Sequence, residues 1–273
     1  MCRNILKGAL VIIFTFAVFL IVKRMIADVG GMPLVLVRAY QPAFFALRGI
    51  VPAAASAMMF IIMVHLLLNF KRSANSIRCA PSVRGTLYGF MYGGLWFLGF
   101  LEMYFVNGSS LQRHALSGVR DVIALSAFGL FAGLMFLPRE RIKTAGESLI
   151  VVVPVSACFA LFHQAQYFIA FPEVNQHVHD APGLLWLLAC GAWIGVMYYF
   201  LRPAVEGTFR RILFFSANMF GVNWLLFSSF YRVFLDIPVG DILIRSGFDV
   251  AGVSLGLCLY ESMRKAERTY FGI

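Results

Sequence analysis

The sequence predicts an all-α protein, a single integral-membrane helical domain over residues 1–273. Its expected form is a polytopic transmembrane helical bundle of about eight spans with both termini cytoplasmic. Three observations carry this. Hydrophobic residues make up 60% of the chain and charged residues 13%, with a mean hydropathy of +0.81; soluble domains carry about 25% charged residues. Apolar runs of roughly 20 residues, long enough to cross a hydrocarbon core, recur from end to end, and no polar face recurs to cover them as soluble helices. The basic residues, which give a net charge of +10, fall in short groups between these runs. Such grouping orients helices in a membrane. The expected partners are therefore membrane lipids and a small-molecule or lipid-linked substrate, not nucleic acid.

The runs fall approximately at 8–22, 44–70, 86–106, 119–137, 147–170, 184–201, 212–234 and 243–262. The first, preceded by Arg3 and Lys7, has the shape of a signal-peptide core. Lys23-Arg24 follow it with no small-residue cleavage site, so it is expected to stay as a span. The second is long enough to tilt or to begin with an interfacial turn around Pro42. The third and fourth form a hairpin from Gly85 to Pro138. Gly85, Gly89 and Gly93 are one turn apart on the way out, and Gly129 and Gly133 sit on the return. A small-residue stripe lets helix backbones approach closely. Gly191 with Gly195, and Gly252 with Gly256, give the sixth and eighth runs a similar face. Packing within the chain is the expected use, with a homo-oligomer through one of these glycine-rich faces as the alternative. Pro154 lies inside the fifth run.

Counting Lys and Arg sets the orientation. One side collects 15, in the groups at 3–7, 71–84, 139–143, 202–211 and 264–268, and the other collects eight. The richer side is expected to be cytoplasmic, and the expected location is a bacterial inner (plasma) membrane. The five cysteines lie on the cytoplasmic side or within spans, so no disulfide framework is implied.

On this topology the polar residues inside the spans crowd toward the outer side. Glu102, Arg120, Asp121, His163, Arg245 and Asp249 are the candidate substrate-binding residues. A charge at the centre of a membrane helix costs about 2.5–3.5 kcal/mol on insertion scales, so such groups must pair or line a cavity. Arg245 and Asp249, four apart, share a helix face and can pair; Glu102 and Arg120 flank the same turn and are expected at one depth. Arg48 and Arg232 suit snorkelling to water. Asn218 and Asn223 lie on the approach to Arg232, and His65 on the inner half.

The outer loop from Glu173 to Asp180 carries His177 and His179 beside acids. Imidazole with carboxylate suits zinc, but a His-x-His pair is short of a ligand set, so no metal is assigned. Nothing identifies a cofactor or a set of catalytic residues. The chain has no phosphate-binding glycine loop, no paired aspartate motif of prenyl-transfer enzymes, no diiron histidine boxes and no recognisable Ser-His-Asp spacing. Arg139-Glu140-Arg141, after the fourth run, resembles the acidic–basic turn of the drug/metabolite transporter superfamily. That likeness covers one hairpin; the family has about ten spans in two repeats, against eight and no repeat here, and the chain is not assigned to it.

Three functions are compatible with these residues. The first is a transporter or channel-like protein for a small or anionic solute, with a polar pocket opening to the outer side. The second is an integral-membrane enzyme acting on a lipid or lipid-linked substrate at the outer leaflet. The third is an accessory subunit of a membrane complex, in which the charges act as interhelical staples.

Overall fold

The computed structural model describes residues 2–30, 50–74, 79–107, 110–137, 148–169, 179–234 and 238–271. The elements are α1 (Cys2–Gly30), α2 (Ile50–Ala74), α3 (Pro81–Asn107), α4 (Leu111–Phe136) and α5 (Val152–Ile169), then α6 (Ala181–Leu201), α7 (Thr208–Leu213), α8 (Asn223–Phe234) and α9 (Val239–Phe271). A 3-10 turn, Leu149–Val151, leads into α5, and a nine-residue π-helical stretch, Phe214–Val222, joins α7 to α8 without a break. Among the described residues there is no strand.

Seven helical stretches are long and apolar enough to cross a membrane: six are α1, α2, α4, α5 with its 3-10 entry, α6 and α9, and the seventh is the continuous α7–π–α8. The helix α3 is 27 residues long but is not among the seven, because glycines, tyrosines and Glu102 dilute its apolar character. Residues 31–49, 138–147 and 170–178 lie outside the described residues, and with them the start of the expected second span, Arg38, Arg48, Arg139-Glu140-Arg141 and His177.

Local chemistry places the boundaries. Ser110, extended, precedes α4, and α4 ends where Leu137 turns extended at ψ 140, as the residue before a proline tends to do. Pro182 occupies the first turn of α6, where its missing N–H costs nothing. Pro154 falls in the first turn of α5, with Ser148 capping the 3-10 turn just before it, so it starts this span rather than breaking its middle.

The glycine stripes set the closest contacts. A Cβ at Gly85 would meet the carbonyl oxygen of Gly129, one at Gly89 the carbonyl oxygen of Leu125, and one at Gly93 would lie 2.6 Å from the Cα of Val122. Thus α3 and α4 touch backbone to backbone as an antiparallel hairpin. The other two stripes are used the same way, both against α5. Gly191 and Gly195 meet Ser156 and Val152, and Gly252 and Gly256 meet Phe159 and Val155. Indole N–H donors tie α6 to α3, Trp186 to the Leu98 carbonyl and Trp193 to the Met91 carbonyl, each at 2.8 Å.

Basic side chains from separate helices gather at one end of the bundle. Lys7 of α1 donates to the Met135 carbonyl at 2.8 Å, and Lys7 and Lys71 both lie over the Phe136 ring. Arg72 lies over Phe214 and its carbonyl accepts from Ala204 at 3.0 Å. Arg211 pairs with Glu261 of α9 at 3.7 Å.

Candidate functional site

Four of the six candidate residues converge. Glu102 lies near the far end of α3, His163 in the second half of α5, and Arg245 and Asp249 one turn apart in α9. Asp249 is ten residues into its helix, about 15 Å along the axis. All four are buried, none more than 7% exposed. The contacts that bring them together are those just described: Gly252 and Gly256 let α9 settle onto α5, which sets His163 opposite Asp249.

The pairing differs from the one expected along a single helix or hairpin. Asp249 bonds not to Arg245 but to His163, whose Nδ1 lies 2.7 Å from Oδ1. Trp224 Nε1 donates to Asp249 Oδ2 at 2.7 Å, and Gln166 Nε2 donates to Oδ1 at 3.3 Å. Glu102 bonds not to Arg120 but to Arg245, and it accepts from the Tyr167 hydroxyl at 3.2 Å. His163 Nε2 joins the halves, 2.9 Å from the Tyr167 oxygen and 3.5 Å from Glu102 Oε1. The physical reason is azimuth. Four-residue spacing puts Arg245 and Asp249 on one face, but that face meets two different neighbours, and each side chain finds a closer partner across the interface.

Hydrogen counting constrains the ring. Tyr167 donates to Glu102, so its oxygen is free to accept from Nε2, while Nδ1 faces a carboxylate. All these contacts are served when both ring nitrogens carry hydrogen. Two carboxylates are then balanced by a guanidinium and an imidazolium. Aromatic rings close the surroundings: Phe159 and Trp186 lie 5.2 and 5.6 Å from the His163 ring, and Trp224 is stacked between Phe220 and Phe227.

Arg120 and Asp121 are not part of this cluster. They pair with each other at 2.7 Å, and Arg120 lies over the Phe19 ring at 4.7 Å, so this pair serves the contact between α4 and α1. Arg232 carries no described side chain. His179 bonds to Gln164, and no group of three or more His, Cys, Asp and Glu that could hold a metal occurs among the described residues. Cys79, Cys158, Cys190 and Cys258 are free thiols.

Three features of the site were missed by the candidate set. Tyr167 was legible, since it follows His163 by four residues and must share its face. Trp224 was not, because nothing local marks an indole as a carboxylate partner. The π-helical stretch was also silent in the sequence. It displays Asn218, whose Nδ2 donates to Asn69 Oδ1 at 2.8 Å beside His65, and Ser216, which accepts from Ser254 of α9 at 2.8 Å. The residue after it, Asn223, accepts from Trp96 Nε1 at 2.9 Å.

Compared with family models, with curated proteins and with solved structures, the chain matches none.

Proposed function

We propose that the protein is a secondary transporter or channel-like membrane protein for a small solute, with the Glu102–His163–Arg245–Asp249 cluster as its binding site. The observation that carries this reading is the convergence of four ionisable side chains from three helices at a buried junction. One interhelical staple needs one pair; here two pairs are cross-bonded through His163. Beside them, Gln166 Oε1 and Asn223 Nδ2 are buried with no hydrogen-bond partner among the described residues, an acceptor and a donor suited to a polar guest. The helix next to the site is irregular, a π stretch leading into Trp224, and transporters place their sites against interrupted helices.

The cluster favours a proton: its charges balance, with Arg245 held by Glu102, and the Asp249–His163 contact joins a carboxylate to an imidazole, a group suited to proton exchange. The eight-span topology is supported by α3, which runs antiparallel to α4 and α6 and so crosses where they cross. Both termini on the cytoplasmic side fits the gathering of Lys7, Lys71, Arg211 and Glu261 at one end. Reporter fusions after Pro172 and Asp236 are expected to be active only outside, and one at the C-terminus only inside; a C-terminal fusion active outside overturns the topology.

The transport reading is tested by pH jumps on proteoliposomes adsorbed to a current-recording surface, with cationic, zwitterionic and anionic solutes offered in turn. Wild type is expected to give a transient current that Asp249→Asn loses. No current from wild type under any of these conditions sinks the reading. A second reading, an enzyme at the outer leaflet, draws on the Asp249–His163 dyad, whose 2.7 Å contact is what a general base requires. It is the weaker one, because Nε2 is already engaged by Tyr167.

A further inference from the structure

A second polar layer crosses the bundle where α2 packs on the π-helical stretch. The Leu66 carbonyl in it accepts from the Tyr88 hydroxyl at 2.8 Å, and Tyr88 stands fourteen residues from Glu102, about 21 Å along α3. His65 and Asn69, one turn apart on α2, share the face that meets Asn218. His65 Nε2 lies 3.3 Å from Asn218 Oδ1 and 3.0 Å from Asn69 Nδ2. Asn69 Nδ2 also donates to the His65 carbonyl at 3.1 Å, and Asn218 Nδ2 donates to Asn69 Oδ1 at 2.8 Å.

Hydrogen counting singles out one atom. Nε2 has an acceptor and a donor within reach, so it finds a partner whichever neutral tautomer the ring takes. Nδ1 is buried and has no partner among the described residues, so it is a bare acceptor in one tautomer and a bare donor in the other. An imidazolium fits the same frame without rearrangement: Nε2–H donates to Asn218 Oδ1, and Nδ1–H donates to the water that delivered its proton. No charged side chain among the described residues bonds to the ring. The titratable groups nearest this layer are the Tyr88 and Tyr92 hydroxyls of α3; Lys7, Lys71 and Arg72 lie over the Phe136 and Phe214 rings. We propose that His65 is a second proton-binding site, the inner station of a path that starts at His163 and Asp249.

A polar track joins the two sites. Tyr88, Tyr92 and Trp96 stand one turn apart on α3, none more than 1% exposed. In order they donate to the Leu66 carbonyl beside His65, to the Met219 carbonyl at 3.4 Å and to Asn223 Oδ1 at 2.9 Å. Asn223 Nδ2 has no partner among the described residues, and the next residue, Trp224, donates to Asp249. The carrier between the sites is water. A hydronium ion gives its proton to Nδ1 and leaves as water, and the imidazolium later returns that proton to a water on the side of Lys71, six residues and about 9 Å further along α2. The path rests on the transport reading above, whereas proton binding by His65 is measured without it.

The test uses the full chain with isotope-labelled histidine in lipid nanodiscs, titrated by nitrogen NMR, beside pH-jump currents from proteoliposomes. One imidazole, missing from the spectrum of His65→Gln, is expected to titrate reversibly between about pH 4 and 8. The current of His65→Gln is expected to fall by about tenfold or more, while His114→Gln, at the start of α4, keeps it. A His65 ring that does not titrate in that window overturns the proposal, and so does a wild-type current from His65→Gln. If the wild type itself carries no current, the transport reading fails, and the titration alone decides whether His65 binds a proton. Should His65→Gln fail to fold, Asn218→Ala takes its place, since it removes the acceptor of Nε2–H. It is expected to move the titration midpoint of one imidazole by about one pH unit, and no movement of any imidazole overturns the proposal.

Discussion

Replacing Glu102 alone by leucine is expected to cost the folded protein about 3–5 kcal/mol, because it takes from the buried Arg245 the carboxylate it bonds. Against a typical total of about 5–15 kcal/mol, that is enough to collapse the yield of folded protein. Replacing both, as Glu102→Leu/Arg245→Met, removes the whole pair and leaves the carboxylate of Asp249 facing the imidazole of His163. The double variant is expected to recover most of the loss, giving a coupling of at least about 2 kcal/mol in a double-mutant cycle read by thermal melts. Its folded protein then separates two roles. If the charges only hold helices together, it keeps its activity; if they are the binding site, the pH-jump current vanishes while the melt is near normal. A folded double variant with an undiminished current removes these two residues from the site. Exchanging the charges of Arg245 and Asp249 would be uninformative, since these two do not bond to each other and the exchange breaks two separate partnerships.

Gly89→Leu is expected to be the most damaging change outside the cluster. A Cβ at Gly89 runs into the carbonyl group of Leu125, with the carbonyl carbon at 2.6 Å and the Cα of Ser126 at 3.1 Å. These are backbone atoms in the middle of a helix, so no rotamer change relieves the clash and α3 must lift away from α4. Overpacking of this kind costs about 3 kcal/mol or more. It should appear as a lower melting temperature in detergent and a smaller monodisperse peak. Gly247→Ala in α9 is the control, since nothing lies within 4 Å of its added carbon. There the melt should hold or rise slightly, because alanine restricts the unfolded chain. Equal damage from both would mean the stripe is not a contact.

The hairpin of α3 and α4 was legible because its information is local. Four-residue spacing aligns Gly85, Gly89 and Gly93 on one face, and a short turn forces the next helix back against it. Depth was legible too: distance from the ends of an apolar run tells how far in a residue sits, which is how Glu102, His163, Arg245 and Asp249 came to be named together. The same reasoning also swept in Arg120 and Asp121. They sit on the return helix of the hairpin, α4, but on a face that looks toward α1 and Phe19.

What the sequence determined by itself is the class of protein and the register of each helix along its own axis: apolar length, cap residues, prolines in first turns and small-residue faces act over a few residues. What only the tertiary structure decided is azimuth and neighbour. Glu102 meets Arg245 across 143 residues, and His163 meets Asp249 across 86. The order in which helices stand side by side fixes both contacts, and short loops permit many such orders. The choice among them comes from how well whole faces fit, glycine against backbone and indole against carbonyl, summed over the bundle. No single stretch of sequence contains that sum.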